Sequence, residues 1–106
     1  MGNWAGVVGS EDGFQIQVNI SIKKDCSVGS LCGVISYSKL SFSCRGNLFL
    51  EKVENQTFVF VEEIDLKCQS MDKGFYHLRL LEDGTLALNY YFSDGKAGPS
   101  GILKKP

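Results

Sequence analysis

Few residues in this chain have the type and spacing that chemistry requires. There is one histidine, His77, set between Tyr76 and Leu78. Alternation points it outward, where a lone imidazole is more often a surface residue than a base or a ligand. No Ser or Cys sits in a G-x-S-x-G turn, and no glycine loop has a phosphate-binding pattern. The four cysteines, Cys26, Cys32, Cys44 and Cys68, are spaced 6, 12 and 24 residues apart. Zinc sites usually show two close pairs of the C-x2-C kind. The expectation is therefore a non-catalytic chain with no metal and no other cofactor. Glu62 is the one charged residue that stands out. It continues the parity of Phe58 and Phe60, which would turn a carboxylate into an apolar interior. Left unpaired there, it costs on the order of several kcal/mol, so a partner is required. Arg45, Arg79 and the last lysines are the candidates.

The elements that must place these residues are of one kind. Phe14 to Ile22 alternates five apolar with four polar residues, the period of a strand with one face buried and one wet. No window keeps a helical spacing. Asp12-Gly13, Asp83-Gly84 and Asp94-Gly95 lie between alternating runs and mark tight hairpin turns, with longer turns near 54–56 and 72–74. Strands are expected near 3–9, 14–23, 31–38, 41–52, 57–67, 74–82, 85–92 and 97–105. Short connections pair each strand antiparallel with the next. Closing the resulting eight-strand up-and-down meander removes two sticky edges, and eight is the number at which side chains fill the interior. The expected inward set is Phe14, Ile16, Val18, Ile20, Ile22, Phe42, Leu48, Leu50, Phe58, Phe60, Tyr76, Leu78, Leu80, Leu86, Leu88 and Tyr90. That volume predicts a filled barrel forming a single domain over 1–106; a two-sheet sandwich is the alternative.

Size and charge agree with one soluble domain. The chain has 106 residues, 43% of them hydrophobic, and a net charge of −1. A nucleic-acid binder usually carries a basic excess, which is missing. No apolar run approaches a membrane span, and the N-terminus lacks the basic-then-apolar pattern of a signal peptide. Position 6 is Gly, so Met1-Gly2 does not open a myristoylation motif.

Gly2-Asn3-Trp4 has the Gly-x-Trp form that opens lipocalin-like (calycin) barrels. The run Cys32-Gly33-Val34-Ile35-Ser36-Tyr37 continues through Leu40, Cys44, Gly46 and Leu48. A second run joins Phe58, Phe60, Glu62-Glu63-Ile64, Cys68, Gly74, Leu78, Leu86, Leu88, Tyr90, Gly101 and Leu103-Lys104. Together they resemble a small bacterial lipocalin-like module of unassigned activity, found alone or appended to signalling proteins such as serine/threonine kinases. The resemblance implies a barrel and a non-catalytic role. It also implies that Trp4 closes the barrel floor beneath a basic side chain of the last strand, Lys104 or Lys105, with Lys104 preferred. Gly2 and Gly6 would make room for the ring.

The cysteines bear on compartment. Cys26 and Cys32 bracket the turn between strands two and three. Cys44 falls opposite Lys67, and a bulge at Glu62-Glu63 would bring Cys68 level. Pairs Cys26–Cys32 and Cys44–Cys68 are favoured in an extracellular or periplasmic protein; buried free thiols in a cytoplasmic one are the alternative. The sequons at Asn19 and Asn55 would matter only in a eukaryotic secretory pathway.

Two functions compete. Strands four and five are apolar on both parities, and the outer set Phe49, Val59 and Val61, with Tyr91, would form an interface for a protein partner or a neighbouring domain. The alternative is a small ligand held at the barrel mouth by Tyr37, Glu62, Tyr76 and Tyr90.

Overall fold

The structure is a computed structural model that describes residues 2–9, 13, 15–39, 42–64 and 74–106, with the backbone alone at 39, 42 and 64. Its strands are β1 (Gly2–Gly9), β2 (Gln15–Ile22), β3 (Leu31–Lys39), β4 (Phe42–Glu54), β5 (Thr57–Ile64), β6 (Phe75–Leu80), β7 (Leu86–Tyr91) and β8 (Ala97–Leu103). They pair antiparallel in chain order, and β1 meets β8 to close the barrel. The expected eight-strand meander is therefore the fold.

Local chemistry explains the turns. Asn55 and Gln56 both have positive φ, 46° and 68°, as a two-residue hairpin matched to strand twist requires. Asp83 Oδ1 accepts a hydrogen bond from the Thr85 amide at 3.0 Å, and Asp94 Oδ1 one from the Lys96 amide at 2.9 Å. The glycine after each aspartate has φ near 90° (86° at Gly84, 89° at Gly95), which only glycine adopts without strain.

The interior is filled by Trp4, Val8, Val18, Ile20, Ile22, Cys32, Ile35, Tyr37, Cys44, Leu48, Leu50, Phe60, Tyr76, Leu78, Leu86, Leu88 and Leu103, with Ile16, Cys26, Phe58 and Tyr90 packed against them. Of the expected inward set, Phe14 and the Phe42 side chain lie outside the described residues. Leu80 departs from it: at the last position of β6, on the rim, it stays 44% exposed. Val59 departs the other way. It is only 2% exposed yet lies outside the interior cluster. Its cross-strand neighbours are Lys52 and His77, whose side chains stand on either side of it on the outer face.

Bulges shift two registers. In β4 the irregularity falls between Leu50 and Lys52, near the hairpin tip, and pairing then runs evenly from Leu50↔Phe60 to Gly46↔Ile64. The expected bulge at Glu62-Glu63 is not there. In β3 the shift between Leu31 and Gly33 leaves Leu31 opposite the outward Phe49 and turns Cys32 inward. Cys32 is bonded to Cys26, with Cα atoms 5.0 Å apart, as expected from their spacing. Cys44 is also disulfide-bonded; its expected partner, Cys68, lies outside the described residues.

Candidate functional site

One end of the barrel is apolar and closed by Trp4. The ring is 2% exposed and its Nε1 donates to the Gly84 carbonyl at 3.2 Å, tying β1 to the β6–β7 turn across the floor. The cation over the ring is Lys105, with Nζ 5.7 Å from the centroid, and not Lys104. Lys104 instead exchanges two 2.8 Å backbone hydrogen bonds with Ala5. That pairing faces the Lys104 side chain away from the interior, one position out of phase with the ring. A Cβ on Gly2 would meet the indole edge at 3.6 Å, an ordinary contact, so the ring itself does not require glycine there. Gly6 has a different role. It lets β8 approach, and a Cβ there would stand 2.9 Å from the Ile102 carbonyl.

The other end is polar inside. Glu62 on β5 is 7% exposed, and each carboxylate oxygen takes a tyrosine hydroxyl. Tyr76 of β6 donates to Oε1 at 2.8 Å and Tyr37 of β3 donates to Oε2 at 3.1 Å. Tyr90 of β7 packs its ring on Tyr76 with centroids 4.9 Å apart. The four residues expected at the barrel mouth, Tyr37, Glu62, Tyr76 and Tyr90, are thus brought together. The expected cationic partners are not used. Glu62 has neither Arg45, Arg79 nor a last-strand lysine as a salt-bridge partner, because the hydroxyls that reach it come from the neighbouring walls. Burial raises the Glu62 carboxyl above its usual range, although both tyrosine hydrogen bonds pull it down. The Tyr37 and Tyr76 hydroxyls are also raised, chiefly by burial and then by the negative charge of Glu62.

This end is tightly packed. A Cβ on Gly46 would fall on the Glu62 carboxylate, and one on Gly74 would stand 2.5 Å from the Tyr90 hydroxyl. These glycines make room for polar side chains inside the wall rather than for turns, a role that reading glycine as punctuation missed.

The outer wall carries a second feature. Cross-strand partners Leu31↔Phe49, Phe49↔Val61, Val61↔Phe75 and Phe75↔Tyr91 place five apolar side chains in one row over β3–β7. Of the expected outer set, Phe49, Val61 and Tyr91 are in this row, half-buried. Val59, 2% exposed between its cross-strand neighbours Lys52 and His77, is not available as a contact residue. Beside the row lies a groove of about 250 Å³ lined by Phe75, His77, Tyr91, Phe92, Ser93 and Gly95. His77 does face outward, with its ring edge-on to Tyr91 at 4.5 Å. Burial and the nearby Lys52 hold its pKa below the usual value. Phe75 and Phe92 went unnoticed in the sequence; the cross-strand register between β6 and β7 is the signal that finds Phe75.

Among the described residues, no cluster of three His, Cys, Asp or Glu forms a metal site, and no helix is long and apolar enough to cross a membrane. Compared with known proteins, the chain matches no family model and no curated sequence.

Proposed function

We propose that this chain is a non-catalytic protein-interaction module on a lipocalin-like barrel. The observation that carries the reading is the row from Leu31 through Phe49, Val61 and Phe75 to Tyr91. A barrel needs an apolar inner face only, so apolar residues aligned on the outer face of five adjacent strands call for another occupant. Contiguous patches of a few hundred Å² are where proteins meet partners. The partner is a folded protein, on another chain or in a neighbouring domain, that offers an apolar side chain to the groove beside Tyr91. Aromatic side chains such as Phe75, Tyr91 and Phe92 are the types that anchor such contacts. The Cys26–Cys32 bond supports an oxidising compartment, extracellular or periplasmic.

A second reading, a small-ligand-binding barrel, is favoured by the convergence of Tyr37, Glu62, Tyr76 and Tyr90. The mutual hydrogen bonds and the glycine-tight packing weigh against it.

Titrating labelled protein with anilinonaphthalene sulfonate, an apolar probe, and following amide shifts separates the two. The proposal expects shifts at Phe49, Val61, Phe75 and Tyr91, abolished by Val61→Asp in a folded variant. Shifts confined to Tyr37, Glu62, Tyr76 and Tyr90 would transfer the function to the barrel end. A folded protein that binds no probe contradicts the outer-face reading.

A further inference from the structure

The polar end poses a problem that the outer-face reading leaves untouched. Glu62 is nearly shut off from water, and its described partners are neutral hydroxyls. Among the described residues, the titratable groups that face it are Tyr37 from β3, Tyr76 from β6 and, one ring further, Tyr90 from β7; β4 contributes its cross-strand partner Leu48 and the neighbouring Gly46, neither of them titratable. No lysine, arginine or histidine among these groups offsets a negative charge.

The two protonation states need different hydrogen bonds. An ionised carboxylate accepts from both hydroxyls, as the distances allow, but keeps its charge nearly shut off from water with no cationic partner among the described residues. A protonated carboxyl removes that charge and turns one oxygen into a donor, so one tyrosine hydroxyl must accept from it and send its own proton elsewhere. Three strands are therefore linked through a group whose bonding pattern changes with a single proton.

We propose that the Tyr37–Glu62–Tyr76 cluster is a proton-sensitive latch: with Glu62 protonated the walls β3, β5 and β6 are held together at this end, and with Glu62 ionised they loosen. The upward shift of the Glu62 carboxyl by burial has the sign the latch needs. A group whose folded pKa lies above its unfolded one stabilises the fold fully below the unfolded value, about 4.3 for Glu. That stabilisation is lost as pH rises through the folded value. His77 works in the opposite sense over part of this range, since its lowered pKa opposes folding as pH falls. It is on the outer face, and comparison with a Glu62 variant subtracts it.

The test is urea unfolding of the parent and of Glu62→Gln between pH 4 and 8. The latch predicts that the parent's folding constant, relative to the variant's, falls by up to tenfold per pH unit where Glu62 loses its proton, the limit for one proton. Parallel pH profiles overturn it. Should Glu62→Gln fail to fold, carboxyl NMR of the intact protein decides: Glu62 must titrate above the ordinary glutamate range, and Tyr37→Phe must move it higher still. Titration at or below that range refutes the latch.

Discussion

The two ends of this barrel solve the same problem with opposite chemistry. At the floor, Trp4 fills the lumen with one large apolar ring, and its only polar atom is satisfied by the Gly84 carbonyl. At the far end the lumen is filled by Glu62 and three tyrosines: the Tyr37 and Tyr76 hydroxyls satisfy the carboxylate, and the Tyr90 ring packs on Tyr76. At the floor the Asp83 carboxyl, in the turn that Trp4 caps, is held below its usual range by hydrogen bonds from Thr85, whereas at the polar end burial pushes Glu62, Tyr37 and Tyr76 above theirs. One topology thus closes its two ends with an apolar ring and with a polar cluster.

The sharpest way to break this contrast is at the floor. Trp4→Ala leaves a large void and is expected to destabilise the protein by about 3–5 kcal/mol in urea unfolding, a large share of a small domain's stability. A parent-like midpoint would mean that Trp4 does not close the barrel. At the polar end, Tyr76→Phe keeps the ring but strips the donor from Glu62 Oε1. The cost expected from a buried acceptor left unmade is about 1–3 kcal/mol. This loss is predicted to be smaller at acid pH, where a protonated Glu62 no longer carries a charge to be solvated. Gly46→Ala probes the packing, since the new methyl group meets the Glu62 carboxylate and forces the wall apart. A loss of about 1–3 kcal/mol, typical of overpacking, is expected from thermal or urea melts. The smallest effect separates the two C-terminal lysines: Lys105→Ala should cost about 0.5–1 kcal/mol through the lost cation–ring contact, and Lys104→Ala clearly less.

Much of this architecture can be read from short-range pattern. The alternation of β2 and the Asp-Gly turns at 83–84 and 94–95 place β2 and the β6–β8 hairpins because both signals are local, set by side-chain period and by glycine's φ. The inward turn of Glu62 follows from the same parity. Its partners do not, because charge pairing is the habitual solution and the hydroxyls come from other walls. Tyr76 was within reach: the Phe60↔Tyr76 register sets it diagonal to Glu62. Tyr37 sits two strands away and needs the closed barrel. The bulge at Leu31–Gly33 is announced in the sequence by Gly33 alone, a glycine inside a strand pattern, which marks an irregularity but not its direction, so the outward placement of Leu31 escaped the pattern.

The contrast between the ends is tested most directly by native-state hydrogen exchange at two pH values, corrected for intrinsic rates. Amides at Ala5, Ile20 and Leu103, around the floor, should exchange only through global unfolding, moving at each pH just as global stability moves. Amides at Tyr37, Glu62 and Tyr76 should exchange through a smaller opening whose population grows as pH rises and Glu62 ionises. Equal protection at both ends, with the same dependence on pH, would contradict the account.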